Sequence, residues 1–168
     1  MEFTSASANK YLRRLQDEKD FILGIEAERS TYVLGDKEVS DPPAYSYEET
    51  RAKVAEIDRT TMVVRHALHQ FNMATALPQC GLTIDEALIA LAQLSNERDR
   101  VGELRAQQPK MRLGERLVGG GATTVEYRYA NYDVRQAERD YETLSEKIAA
   151  IQLELDLANQ TQKFEVEP

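Results

Sequence analysis

His66 and His69 are the only two histidines of the chain, and they lie three residues apart. On a helix this spacing would let both imidazoles share a metal ion, but a protein zinc site also needs carboxylate or cysteine ligands. Both histidines fall outside the apolar stripe of their predicted helix, and no Glu-x-x-His pair of the di-iron type occurs. We therefore expect two surface histidines, no bound metal and no cofactor.

Two other features match chemical motifs only in part. Gly119-Gly120-Gly121 could hold a phosphate through backbone N–H groups, but the Lys-Ser/Thr pair of a P-loop is missing and no strand is expected before the glycines. Cys80 is the only cysteine, and no base beside it in the sequence would turn its thiol into a nucleophile. We therefore interpret the three glycines as a flexible connector and Cys80 as an unreactive thiol, and we assign no catalytic residue.

A set of polar residues interrupts apolar surroundings near the ends of predicted elements. At helix ends, Asn and Thr side chains commonly satisfy free backbone groups, and we favour this structural role. The alternative is a small polar pocket walled by aromatic rings, the usual composition of a ligand site. The candidate ligand-binding residues are then Asn72, Thr75, Tyr127, Arg128, Tyr129 and Asn159.

The longest regular pattern of the sequence runs from Val134 to Ala158. It is a heptad seam over nearly four repeats, which predicts a helix that lays one narrow apolar stripe against other helices. Asp133 and Gln136 form a capping pair at its start, so the helix is predicted over residues 133–160. The seam consists of Val134, Ala137, Tyr141, Leu144, Ile148, Ile151, Leu155 and Ala158.

Three further helices are predicted over residues 5–29, 46–76 and 83–107. The second and third begin at capping boxes, Ser46–Glu49 and Thr83–Glu86, and a proline follows the end of each. The short turn between them predicts an antiparallel pair. The predicted inward residues of the third helix are Ile84, Leu88, Leu91, Leu94, Val101 and Leu104.

A small β element is predicted near residues 123–129, where aromatic and β-branched residues alternate with polar ones. Residues 1–4 are interpreted as a short lead and residues 110–122, with four glycines, as a mobile loop. The tail over residues 163–167 also alternates, and a lone strand needs a partner, so two such segments are expected to pair within or between chains. The predicted fold is all-α: a single domain over residues 1–168, with four main helices in an antiparallel, coiled-coil-like bundle.

The composition disfavours several classes of partner. The net charge is −8, which disfavours nucleic acid and anionic membrane surfaces as partners. No run approaches the ~20 apolar residues of a membrane span, and residues 1–30 show no signal-peptide pattern. A lone cysteine is typical of a reducing compartment, so we expect a cytoplasmic protein.

The predicted helices carry apolar residues outside their main stripes. The fourth helix adds Ala149, Ala150, Leu153 and Leu157, and the third adds Ile89. Apolar flanks of this kind usually mark an interface, and closed symmetric association is the common outcome. We therefore expect a homo-oligomer, most simply a two-fold dimer.

Two segments resemble the septicolysin-like bacterial proteins, a helical family of unknown function. Phe71-Asn72-Met73-Ala74-Thr75, Pro78, Gly81-Leu82-Thr83 and Glu86-Ala87-Leu88 are similar to the family's Asn-x-x-Thr, Gly, Thr-Leu, Glu-Ala-Leu pattern. The second segment comprises the strand at 124–129, Asp133-Val134, Ala158-Asn159 and Phe164. The chain departs from the family at Ile89-Ala90-Leu91, where Ala-Arg-Arg-Asp is usual, and at Gln160, where Trp is common. The family name implies a pore-forming toxin, an activity that we do not carry over to this chain.

The sequence as a whole favours a non-catalytic, self-associating helical protein with a binding or scaffolding role. One alternative is an oligomer that sequesters a small molecule, with sites where the β element of one subunit meets helix ends of another. A second alternative is an enzyme with an unrecognised mechanism, although catalysis needs titratable groups held in a cleft, and the sequence shows no such cluster.

Overall fold

A computed structural model describes residues 1–118 and 122–167 of the chain. Its four long helices are α1 (Ser5–Arg29), α2 (Tyr47–Ala74), α3 (Ile84–Arg105) and α4 (Val134–Thr161). All of their ends lie within two residues of the predicted ends. None of the described helices is both long and apolar enough to cross a membrane.

Short strands complete the described part of the chain. They are β1 (Glu2–Thr4), β2 (Ala76–Leu77), β3 (Leu82–Thr83), β4 (Lys110–Val118), β5 (Ala122–Tyr129) and β6 (Lys163–Glu165). Within the described residues they form two-stranded sheets, in which β1 pairs with β6, β2 with β3 and β4 with β5. The protein is thus mainly helical with small β elements, as predicted, whereas the arrangement of the helices as one bundle stays a prediction.

The described chain divides into two compact units. The first comprises Met1–Ala76 together with the residues from Asp156 onward, and the second comprises Leu77–Leu155. The single domain over residues 1–168 stays a prediction.

In the first unit, α1 and α2 pack side by side in antiparallel directions. Ala8, near the start of α1, clusters with Val64 of α2. Further along α1, Lys19 Nζ lies 2.7 Å from Asp58 Oδ1. Because the contacts move backwards along α2 as they advance along α1, the helices run antiparallel. Val64 belongs to the buried cluster of this interface, and Ile57 and Leu68 of α2 are also buried.

The β1–β6 ribbon covers the core of the first unit. Phe3 pairs with Phe164 in the antiparallel register, and the Phe164 ring stacks on Phe71 with 4.8 Å between the centroids. Beyond the strands, the N–H of Val166 donates to the Met1 carbonyl at 2.8 Å. The interpretation of residues 1–4 as a mere lead is therefore wrong. Within the described chain the tail pairs with this segment rather than with the strand near 124–129.

In the second unit, α3 approaches α4 closely at Gly102. A Cβ added at Gly102 would lie 3.3 Å from Cε2 of Tyr141, so a larger residue would push the ring away. The Arg105 guanidinium lies over the same ring, 3.6 Å from its centroid. The Tyr132 hydroxyl donates to the Leu104 carbonyl at 2.7 Å, which ties the approach to α4 to the end of α3.

The apolar stripes largely match the sequence prediction, with one correction. On α4, Ile151 and Leu155 are buried as predicted, and Ile148 is half-buried. On α3, Ala87 is buried and Leu88 is exposed, so the assignment of Leu88 to the inward face is wrong. The hydrophobicity of leucine made it the more obvious core residue, but helix geometry turns the smaller Ala87 inward.

The strands β4 and β5 form a hairpin that the sequence analysis did not anticipate. Their antiparallel register runs from Lys110 opposite Tyr129 to Val118 opposite Ala122, with a bulge between Arg112 and Gly114. Gly114 has a φ of +139°, a conformation that favours glycine and suits a bulge. The prediction of a mobile loop is therefore wrong for residues 110–118 and 122, while Gly119, Gly120 and Gly121 lie outside the described residues.

Candidate functional site

The second unit contains a buried carboxylate, that of Glu154. Glu154 is 8% exposed, the least exposed charged residue in the described part of the chain. Its Oε1 accepts a hydrogen bond from the backbone N–H of Gln79 at 2.7 Å, and its Oε2 accepts one from Cys80 at 3.0 Å. Burial opposes ionisation of the carboxyl group, but these donors favour the charged form, and together they hold the pKa of Glu154 below its usual value.

The turn that Glu154 holds is itself well defined. The N–H of Gly81 donates to the Leu77 carbonyl at 2.9 Å, and Gly81 has a φ of +71°. The side chain of Thr83 then caps α3 by accepting from the N–H of Glu86, whose carboxylate accepts from the N–H of Thr83 at 2.8 Å. The predicted capping box is confirmed. Glu154 therefore fixes the start of α3 to α4, a structural task that occupies both of its oxygens.

Cys80 is half-buried beside this carboxylate. Burial is the largest cause that raises the pKa of the thiol, and the neighbouring Glu154 raises it further. A raised thiol pKa reduces the thiolate fraction, and the thiolate is the reactive form. A cavity of about 450 Å³ adjoins the pair and is also lined by Lys147 and Ile151. The arrangement argues against a nucleophilic role for Cys80.

The hairpin presents an aromatic face with a cation on it. Tyr127 and Tyr129 lie on one face of β5 with 6.3 Å between ring centroids. The Lys110 ammonium lies 4.2 Å from the Tyr127 centroid and 5.4 Å from that of Tyr129, within the range of cation–π attraction. Tyr129 is 61% exposed, so this face is open to solvent or to a partner.

In the described part of the hairpin, four other charged residues form ion pairs, whereas Arg128 does not. Arg112 pairs with Glu115 at 3.1 Å, and Arg116 pairs with Glu126 at 3.4 Å. No ion pair or hydrogen bond of the Arg128 guanidinium occurs among the described residues. An unpaired guanidinium is a donor for carboxylate or phosphate groups.

A cavity of about 320 Å³ lies at the base of the hairpin. Its walls come from the end of α3, the first residues of β4 and the segment after β5, and they include Leu104, Met111, Arg128, Tyr129 and Tyr132. The cavity combines an apolar wall with one cation, which is a composition seen in small-molecule sites.

The predicted site residues are distributed over both units. Tyr127, Arg128 and Tyr129 share β5 in the second unit, and two of them line the cavity at the base of the hairpin. The remaining three, Asn72, Thr75 and Asn159, belong to the first unit.

Within the first unit, Thr75 is the C-cap of α2, and its N–H donates to the Phe71 carbonyl at 2.9 Å. The Oδ1 atom of Asn72 is buried and has no hydrogen-bond partner among the described residues. The Oγ atom of Ser5, at the start of α1, is also buried and also lacks a hydrogen-bond partner among the described residues. Sequence reasoning missed Ser5, because a serine at a helix start is ordinarily solvated or capping.

The histidines do not form a metal site in the described residues. His66 and His69 are both exposed on α2, as predicted. No group of three or more His, Cys, Asp or Glu side chains with metal-binding geometry occurs within the described ranges.

Comparison with known proteins supports the fold and leaves the function open. No family model matches the chain, and no curated protein matches it. A similar solved structure is a functionally unknown conserved protein from Corynebacterium diphtheriae, with 13% identity and a TM-score of 0.63. The match covers 98% of this chain and 100% of that one. At this identity the likeness shows a shared fold alone.

Proposed function

We propose that this protein is a non-catalytic helical protein that self-associates and serves a binding or scaffolding role. The observation that carries the proposal is the exposure of Leu153 and Leu157, which are 74% and 61% exposed and lie one turn apart on α4. On α3, Ile89 is also exposed, as the sequence analysis expected for an interface residue.

Burial of these side chains would stabilise an assembly. A leucine side chain contributes roughly 1.5–3 kcal/mol when it is fully removed from water. A two-fold interface uses the same patch on both subunits, so every buried residue contributes twice. Contiguous apolar residues on a surface usually mark such interfaces.

The local chemistry supports a non-catalytic role. The carboxylate of Glu154 is occupied by the backbone N–H groups of a turn, burial raises the pKa of Cys80, and His66 is exposed. A catalytic acid, base or nucleophile would need the opposite: a titratable group that is aimed into a cleft and available to a substrate.

Several finer features belong to the same proposal. The four helices form an antiparallel bundle with coiled-coil-like seams, the protein resides in the cytoplasm, and its partners are copies of itself rather than nucleic acid or membranes. Its likeness to the septicolysin-like proteins is one of family membership. The apolar seam of α4 supports the bundle, and the single cysteine supports a reducing compartment. The net charge of −8 disfavours nucleic acid and anionic membranes, and the two segments given above support the family likeness.

The test is the molar mass of the wild type and of a Leu153→Glu, Leu157→Glu double variant, measured by light scattering. We expect an oligomeric wild type and a lower mass for the variant, because two carboxylates per subunit would be buried in the interface. The control is Lys53→Glu, which changes the charge by the same amount at an exposed position of α2. A double variant with unchanged mass would contradict the role of this flank.

The cavity at the base of the hairpin supports a second candidate function, the binding of a small anionic molecule. Arg128 would supply the charge and Tyr129 an aromatic wall. Native mass spectrometry of the purified protein should then detect a co-purifying small molecule, which the Arg128→Gln variant loses. Identical spectra of the two proteins, with no added mass, would contradict this candidate.

A further inference from the structure

The outer edge of β5 is a free β-strand edge. Among the described residues, β5 pairs with β4 alone. The N–H of Ala130 donates to the Pro109 carbonyl at 3.1 Å, which fixes the direction of the backbone groups along β5. Since these groups alternate between the two sides of a strand, Arg128 and Glu126 direct theirs to β4. The N–H and C=O groups of Tyr129, Tyr127 and Val125 therefore point outward, where another strand can pair with them.

We propose that this edge pairs antiparallel with β5 of a second copy, across a two-fold axis at Tyr127. This inference rests on the proposed self-association and adds to the α4 flank a second contact between the copies, formed by β5. Tyr127 would lie opposite Tyr127 of the second copy, Val125 opposite Tyr129, and Glu126 opposite Arg128. The two hairpins then form one four-stranded sheet.

Each pair in this register is favourable. Aromatic pairs, aromatic–β-branched pairs and opposite charges across neighbouring strands each contribute roughly 0.2–1 kcal/mol relative to alanine pairs. The outward groups of Val125, Tyr127 and Tyr129 meet those of the second copy as hydrogen-bonded pairs. The unpaired guanidinium of Arg128 gains the Glu126 carboxylate of the second copy, which it shares with the Arg116 of that hairpin, and the symmetry forms this contact twice.

Neighbouring registers are less favourable. An axis at Glu126 would place two carboxylates opposite each other, and an axis at Arg128 would place two guanidinium groups together. Like charges in directly opposite positions destabilise a sheet. An axis at Val125 would set Glu126 against Thr124 and lose both ion pairs. Among these registers, the axis at Tyr127 alone pairs both charges.

The charge distribution of the chain favours contact at the hairpin. Residues 110–129 contain four basic and two acidic side chains, in a chain whose net charge is −8. Two acidic molecules therefore meet with the least repulsion where this basic element lies. Pairing would also stabilise the hairpin, because an isolated two-stranded hairpin is only marginally stable in water.

Disulfide trapping tests the register directly. In a Cys80→Ser background, Tyr127→Cys places two thiols at the axis, where the Cα atoms of a hydrogen-bonded pair lie about 5.5 Å apart, within disulfide range. The matched control is Tyr129→Cys, a position on the same strand face that is more exposed, at 61% against 43% for Tyr127. Its two copies would be offset by four residues, roughly 13 Å along the strands, beyond disulfide range. We expect rapid covalent dimers with Tyr127→Cys and none with Tyr129→Cys.

Charge exchange provides a second measurement that needs no cysteine. Glu126→Arg and Arg128→Glu each place like charges opposite one another in a homodimer. An equimolar mixture restores both ion pairs in the heterodimer. We therefore expect each variant alone to have a lower mass than the wild type by light scattering, and the mixture to recover it.

The outcomes separate this inference from the proposed function. An oligomeric wild type whose Tyr127→Cys variant does not cross-link, or cross-links no faster than Tyr129→Cys, overturns the register and leaves self-association standing. Failure of the variant mixture to recover the mass overturns the register as well. A wild type that stays monomeric contradicts both the inference and the proposed function.

Discussion

Glu154 and Cys80 join α4 to the turn before α3, since the Glu154 carboxylate accepts the backbone N–H of Cys80 at 3.0 Å and that of Gln79 at 2.7 Å. Charge-assisted hydrogen bonds to backbone groups are among the stronger ones in proteins. A buried charge in this protein thus orders a turn.

Removal of this charge should destabilise the protein. Glu154→Gln keeps the shape of the side chain but loses the ionised acceptor and places an NH₂ group against a backbone N–H. We expect the melting temperature to fall by several degrees in differential scanning calorimetry. Glu146→Gln, at an exposed position of the same helix, is the control and should leave it unchanged. Equal melting temperatures for Glu154→Gln and the wild type would show that the two hydrogen bonds contribute nothing.

The contribution of Glu154 should depend on pH. The pKa of its carboxyl group lies below the usual value in the folded protein, so the ionised form stabilises the fold at any pH above the unfolded pKa of about 4.3. This contribution is lost as the pH falls through the folded pKa. The difference in melting temperature between wild type and Glu154→Gln should therefore be constant between about pH 6 and 8 and shrink below about pH 4. A difference in melting temperature that grows on acidification would contradict the lowered pKa of Glu154 in the folded protein.

The seam of α4 should show graded sensitivity to truncation. Leu155 is 3% exposed and Ile148 is half-buried. Leu155→Ala should lower the free energy of unfolding by about 2–5 kcal/mol in urea denaturation, and Ile148→Ala by less, because the cost follows the cavity left behind. A larger loss for Ile148→Ala would mean that burial along the seam is assigned wrongly.

The N-cap of α3 should contribute measurably to the free energy of unfolding. Thr83→Ala removes the side-chain oxygen that accepts from the N–H of Glu86, and we expect a loss of about 1 kcal/mol in the free energy of unfolding. Thr143→Ala is a suitable control, because that hydroxyl donates to the Arg139 carbonyl within α4 and caps nothing. If both variants lost the same free energy of unfolding, the capping box would not stabilise α3.

Metal removal should leave the protein unchanged. His66 and His69 are exposed on α2, and no third ligand joins them among the described residues. We expect an untagged preparation to contain no stoichiometric zinc or iron by elemental analysis, and a chelator to leave its melting temperature unaltered. Stoichiometric metal that disappears in the His66→Ala variant would contradict this expectation.

Local patterns predicted the four helices and the strands β5 and β6, but they missed β1 and β4. Capping boxes and the three–four spacing of apolar residues are local signals that extend over one or two helical turns. The predicted ends of α2 and α3 therefore lie within two residues of the observed ends. The strand β1 was missed because its partner β6 lies at the other end of the sequence, and no local signal reports such a pairing. The strand β4 was missed because Gly114 interrupts the alternation of Met111 and Leu113, and the bulge that absorbs this interruption is visible only in the register.

The candidate site was predictable only in part. Tyr127, Arg128 and Tyr129 were found because aromatic residues flank a charge on a predicted strand. Glu154 was missed because one more carboxylate on a charged helix looks solvent-exposed, and its burial follows from a turn about seventy residues earlier in the chain.

The concentration dependence of the wild-type mass tests the central claim of self-association most directly. Sedimentation velocity at tens of micromolar, where ordinary oligomers persist, should show a species of at least twice the 19.1 kDa chain mass. On dilution, this species should dissociate reversibly to the mass of one chain. A single species at the mass of one chain throughout this range would contradict the account.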